Sequence, residues 1–152
     1  MTDDARVIFQ DSLDGITADS LIGFFVGWLR PPSPETHLEI LRGSNAVILA
    51  IDPETRRVVG FITAITDGVL AAYIPLLEVL PTYQGRGIGS QLVRAMLARL
   101  RNLYMIDLLC DAEVQPFYTR LGLIPAEGVC VRHYERQAGL PVPGAEDGNA
   151  YR

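Results

Sequence analysis

Apolar and polar positions along this chain fall into short runs that switch between a period of two and a period near 3.6. Residues 6–10 read as a first short strand. Thr17 is a candidate cap for a helix predicted over 17–28, and its Leu21, Ile22, Phe24, Phe25, Val26 and Trp28 are apolar on nearly all sides. Such a helix is deeply buried or lines a ligand cleft. Pro31-Pro32 stops it. Ser33 followed by Pro34 has the chemistry of an N-cap with proline at the first helical position, so a second short helix is predicted to about residue 42. Two strands follow at 46–51 and 58–66, joined by the hairpin composition Asp52-Pro53-Glu54-Thr55. Residues 70–80 form a long apolar run broken by Pro75, which predicts a bulge or an edge. Leu92, Val93, Met96, Leu97 and Leu100 share one face of a helix predicted over 87–101. A strand at 105–110, a short helix at 115–121 stopped by Gly122, and a last strand at 128–134 complete the pattern.

The order of these elements is β, α, α, β, β, β, α, β, α, β. Three consecutive strands imply an antiparallel meander. The strand–helix–strand unit over 70–110 implies a right-handed parallel crossover. The expected class is α+β, a mixed sheet flanked by helices. With 152 residues the chain suits one domain, placed at 1–136. From residue 137 it is rich in Gly, Pro and acidic residues, and a flexible tail is expected there.

Charge and cysteines change the picture only by exclusion. The net charge of −5 disfavours a nucleic-acid partner. Cys110 and Cys130 have neither CxxC nor metal spacing and sit in apolar stretches, so they are expected to be buried small hydrophobes, with no metal site. The start, Met1-Thr2-Asp3-Asp4, is acidic and lacks the apolar core of a signal peptide. The greasiest run, residues 21–29, is about half of the ~20 residues a membrane span requires. No membrane association is expected, and the location is expected to be cytoplasmic.

The chemistry concentrates in Gln84-Gly85-Arg86-Gly87-Ile88-Gly89, between a strand and a helix. Alternating glycines let main chain approach a ligand closely. The first amides of the helix have no internal partner, and the helix dipole adds partial positive charge there. Together they make an anion site suited to phosphates, with Arg86 and Ser90 as added donors. A P-loop is excluded, because no lysine stands in the required place. The dinucleotide fingerprint would need glycine at position 92, where Leu92 stands, although Asp107 or Asp111 follows at a suitable distance. A glycine-rich turn without a ligand remains the bland alternative.

The same six residues resemble the pyrophosphate motif of the GNAT N-acetyltransferase superfamily, (Gln/Arg)-x-x-Gly-x-(Gly/Ala). Leu77-Glu78-Val79-Leu80-Pro81 resembles the strand that enters it. Pro116-Phe117-Tyr118-Thr119-Arg120-Leu121-Gly122-Leu123 resembles the family's "FYxxxGF" helix and turn, with Leu123 in place of the usual aromatic. The likeness is strongest over 74–123. It implies a mixed sheet of six to seven strands with a splayed central pair and about four helices. It also implies acetyl-CoA as co-substrate and direct attack by a primary amine in a ternary complex.

Carried onto this sequence, the resemblance makes Leu77 and Val79 the backbone partners of pantetheine. Gln84, Gly85, Arg86, Gly87, Ile88, Gly89 and Ser90 then form the pyrophosphate site. Tyr118 matches the tyrosine that protonates the leaving thiolate. A phenol holds its proton at neutral pH and can lend it to developing negative charge. Glu78, flanked by Leu76, Leu77, Val79 and Leu80, is the candidate general base, with Tyr73 and Asp107 as alternatives. Phe24, Phe25 and Trp28 are candidates for the acceptor pocket, core packing being the other reading. His37 and His133 stand alone in sequence, outside any metal-spaced cluster. A homodimer is possible through exposed edge strands. A module that binds acyl-CoA without turnover is the competing function.

Overall fold

In a computed structural model, the structure describes residues 6–139. Six strands and three α-helices follow in the order β1 (Ile8–Gln10), α1 (Pro34–Gly43), β2 (Ala46–Ile51), β3 (Val58–Thr66), β4 (Ala71–Tyr73), β5 (Leu77–Val79), α2 (Ile88–Arg99), β6 (Met105–Asp107) and α3 (Gln115–Thr119), with short 3-10 turns between them. The sheet runs β1-β2-β3-β4-β6, and β5 also pairs with β3. The fully apolar β2 is buried at every position, as the central strand of a two-sided sheet must be. Helix α1 begins as its cap signal predicts, with the Ser33 hydroxyl accepting from the Thr36 amide at 3.1 Å.

The run over 70–80 splits in two around its proline. β4 and β5 are both antiparallel to β3, with Ile65 facing Tyr73 and Ile62 facing Leu77. Two residues of β3, Thr63 and Ala64, therefore stand opposite three, Ile74, Pro75 and Leu76. This is a β-bulge, which bends and twists the strand that carries it. The expected parallel pairing across α2 forms between β4 and β6.

The two helices lie on opposite faces. A Cβ added at Gly60 would meet Leu92 Cδ1 at 3.1 Å and Ile88 Cγ2 at 3.3 Å, so the absent side chain is what lets α2 lie against β3. The next residue, Phe61, points the other way, towards α1, with its ring 4.4 Å from that of His37. Phe24 and Phe25 pack edge-on against the same imidazole at 5.3 and 4.9 Å.

Three expectations are corrected. The helix over 17–28 is absent except for a 3-10 turn, Ala18–Leu21. Gly23, Phe25 and Gly27 have φ of 103°, 62° and 82°, which no right-handed helix accommodates. The strand over 128–134 has no pairing partner. β6 ends at Asp107, and a strand exists only beside a neighbour that satisfies its backbone, so Val129 is left 98% exposed. The two cysteines are not buried: Cys130 is exposed and Cys110 half-buried. The tail expected from residue 137 falls mostly outside the described residues. Within them, the Gln137 side-chain oxygen accepts from the Arg30 amide at 2.9 Å.

His37 sets a pH dependence. It is 1% exposed, neither ring nitrogen has a partner among the described residues, and burial lowers its pKa from 6.5 to about 4. Between those values the unfolded chain binds the proton and the folded one does not, so stability falls as pH falls through that window. The full loss is on the order of 3 kcal/mol. Urea denaturation at a series of pH values is expected to show this slope in the native chain and to lose it in His37→Leu. An identical slope in the variant would contradict the assignment.

Candidate active site

The bulge opens a gap in the sheet. The Ile74 amide makes the last bond to β6, donating to the Asp107 carbonyl at 2.9 Å. Beyond it β5 stays with β3 and leaves β6. On the β3 side, the Thr63 amide donates to the Leu76 carbonyl at 3.1 Å and the Leu80 amide to the Val59 carbonyl at 2.8 Å. By the alternation of an antiparallel ladder, the backbone groups of Leu77 and Val79 turn the other way, into the gap. A cleft of about 750 Å³ occupies it, with Leu77, Glu78 and Val79 on one wall and Leu109, Cys110 and Asp111 on the other.

At the mouth of this cleft the chain turns into α2. Gln84 reaches back, its Nε2 donating to the Val79 carbonyl at 3.0 Å. Gly85 and Gly87 both have φ of +78°, the left-handed region where a side chain is strained. The Gly87 carbonyl takes the first helical bond, from the Gln91 amide at 3.1 Å. None of the amides from 85 to 90 has a backbone acceptor among the described residues. Residues 84–87 are exposed, Gly89 and Ser90 are half-buried, and Ile88 turns its side chain into the core. Gly89 lies under α3: a Cβ there would sit 3.5 Å from Phe117 Cζ.

The turn is braced from behind. The Tyr83 hydroxyl donates to Asp52 Oδ2 at 2.6 Å. Asp52 Oδ1 also accepts from the Glu54 and Thr55 amides. The Tyr83 bond, with those amides, holds the Asp52 carboxyl below its ordinary range, and the same bond pushes the Tyr83 phenol up. The Arg86 guanidinium lies over the Tyr83 ring at 5.0 Å and donates to the Thr82 carbonyl.

Glu78 holds the opposite lip. Its two oxygens accept from the Phe25 amide at 2.7 Å and the Val26 amide at 3.1 Å. Successive amides around a left-handed residue form a small anion-binding concavity, filled here by the chain's own carboxylate. The grip places Phe25 and Trp28 on the cleft, their rings 4.9 Å apart. Phe24 does not join them; it is buried against His37 and Phe61, and Phe25, though it reaches the cleft, is itself buried against the same two rings. Tyr118 is half-buried, stacked edge-on against Phe117 at 4.9 Å, and burial raises its pKa, with Cys110 contributing. The cysteines on the wall were missed by sequence reasoning, which saw only their apolar neighbours.

Among the described residues, no group of three or more His, Cys, Asp or Glu gathers as a metal site. None of the described helices is long and apolar enough to cross a membrane.

Comparison with known proteins agrees with this geometry. The model of the acetyltransferase (GNAT) family matches residues 13–123. A crystal structure from Deinococcus radiodurans R1, described as a candidate acetyltransferase, superposes with a TM-score of 0.87 at 48% identity, covering 91% of this chain and 96% of that one. "Uncharacterized N-acetyltransferase ycf52" of Pyropia yezoensis is 29% identical over 65% of this chain and 59% of its own length. "GCN5-related N-acetyltransferase 3, chloroplastic" of Arabidopsis thaliana is 39% identical over 51% of this chain and 33% of its own. The chain thus spans between a third and three fifths of the length of these curated relatives.

The brace behind the turn is testable. Tyr83→Phe is expected to cost about 1.5–3 kcal/mol at neutral pH, as a hydrogen bond to a charged group does. Asp52 is held low in the folded state, so its contribution is present above the unfolded value of 3.8 and is lost as pH falls through the lower folded value. The difference between the two proteins should therefore shrink in acid. An equal difference at all pH values would contradict the pairing.

Proposed function

The chain belongs to the acetyltransferase (GNAT) family, and from that premise we propose that it moves an acetyl group from acetyl-CoA to a primary amine, by direct attack while both are bound. The observation that carries this reading is the row of unpaired amides over 85–90, at the N-terminus of α2 and the mouth of a cleft in the sheet. A diphosphate matches those donors and the positive end of the helix dipole. The inward backbone groups of Leu77 and Val79 supply a ladder for the amide-bearing pantetheine arm, which adds to β5 as an extra strand would.

Each remaining residue then has a task. Tyr118 gives its proton to the departing thiolate; its raised pKa keeps that proton in place at neutral pH. Glu78 draws a proton from the amine. Each of its oxygens spends one lone pair on an amide and retains another. Phe25 and Trp28 form an apolar wall for the acceptor. The proposal includes a homodimer through an exposed edge strand, and a cytoplasmic location, although two relatives are chloroplastic proteins.

Release of free coenzyme A thiol, measured with a panel of small amines and lysine peptides, tests the reading. Acetyl-CoA-dependent release is expected with at least one amine. Tyr118→Phe is expected to lower kcat about 10²-fold with little change in acetyl-CoA affinity. Binding without release with any amine would favour a sensor module, and an unchanged kcat would remove Tyr118 from the chemistry.

A further inference from the structure

The cleft carries two carboxylates on its walls, Glu78 and Asp111, and a single cation, Arg132. Arg132 lies on the extended segment that follows α3. Gly128, Val129 and Cys130 line the cleft with it, while Val131 turns out to solvent and is 75% exposed. This segment passes from one side of the cleft to the other. At its start, a Cβ on Gly128 would come within 2.9 Å of Leu109 Cδ2, on the β6 side. At its end, the Tyr134 carbonyl accepts from the Arg30 guanidinium at 3.4 Å, and the Gln137 side chain accepts from the Arg30 amide at 2.9 Å. Arg30 is two residues beyond Trp28, so Arg132, two residues before Tyr134, comes towards the aromatic end of the cleft. The Arg132 guanidinium is uncommitted. Its one hydrogen bond among the described residues runs from Nη1 to the carbonyl of its own neighbour Val131, at 3.2 Å. The ion pairs among the described residues are Arg99–Asp11 and His133–Glu135, so neither Glu78 nor Asp111 neutralises it. A chain of net charge −5 has carboxylates in excess, yet the one cation on its cleft is paired with none. A guanidinium presents a planar fork of donors that matches a carboxylate or a phosphate with two parallel bonds.

Resting on the acetyl-CoA reading, we propose that Arg132 selects the acceptor, which is an amine that also carries an anionic group, a carboxylate or a phosphate. The guanidinium binds the anionic oxygens. The amino group of the same molecule turns towards Glu78, each of whose oxygens retains a lone pair. No fixed separation of Arg132 and Glu78 is required, because the acceptor's own chain spans them. A polyamine meets a like charge at Arg132 and is disfavoured, so the same residue that attracts one class of amine rejects another. The guanidinium touches the acceptor away from the reacting nitrogen. Its contribution is therefore the same in the bound acceptor and in the transition state, and it acts on the acceptor KM rather than on kcat.

Release of coenzyme A thiol by the full chain tests this with matched acceptors. Amino carboxylates of graded length are compared with their amides, and aminoalkyl phosphates with the corresponding amino alcohols. The native chain is expected to use the anionic member of at least one pair about tenfold or more better in kcat/KM, through a lower KM. The better of the two arms identifies the anion. In Arg132→Gln the ratio within that pair should fall to near one. Arg132→Lys should retain part of it, and Arg132→Glu should turn the preference towards diamines. The KM for acetyl-CoA should be the same in all four proteins, which also shows that the variants fold. If the native chain uses the neutral members equally well, or Arg132→Gln weakens both members of a pair alike, or the KM that rises is that of acetyl-CoA, Arg132 does not select the acceptor and the acetyl-transfer reading stands. If no amine of either kind is acetylated, both fall.

Discussion

The site exists because the sheet cannot stay closed past Ile74. Proline at 75 has no N–H for a ladder, and the extra residue at the bulge turns the following strand. β3 holds the chain on both sides of this defect, so the defect cannot slip. β6 pairs only with the stretch before it. The backbone of Leu77 and the amide of Val79 are then left facing a gap instead of a neighbour, the Val79 carbonyl being taken by Gln84. Unpaired backbone in a sheet is normally a liability. Beside a turn rich in unpaired amides it is the feature on which the proposed ligand site rests.

The walls of the gap are tied to the core by unlike devices. On one side Gln84 bonds the turn to Val79, and Tyr83 bonds it to Asp52. On the other, Glu78 grips the amides of Phe25 and Val26 across fifty-odd residues of sequence. Phe25 has a positive φ that is rare for a large side chain, and the surrounding contacts must offset that strain. Its ring ends between His37 and Trp28, so the aromatic side of the cleft continues into the cluster under α1. A neutral, unpartnered histidine in that cluster makes the wall's foundation sensitive to acid.

Most of the scaffold was legible in the sequence because its signals are local. Ser33-Pro34 started α1, strict apolar runs marked β2 and β3, and Pro75 announced the bulge. The glycine-rich turn before α2 was legible for the same reason. The segment over 17–28 was misread because apolar residues on all sides satisfy a helical pattern as well as an irregular loop pressed into the core. Gly23 and Gly27 were the counter-signal. Which of Phe24, Phe25 and Trp28 would face the cleft depended on φ at those glycines and on a carboxylate from β5, neither of which periodicity records. The strand expected over 128–134 needed a neighbour that β6 is too short to provide. That also explains why Cys130, in an apolar stretch, is exposed.

Backbone amide chemical shifts of the labelled chain, followed through a titration with acetyl-CoA, test the central claim most directly. The account predicts saturable shifts concentrated at 85–90 and at Leu77 and Val79. Absence of saturation, or shifts that leave the amides over 85–90 untouched, would contradict it.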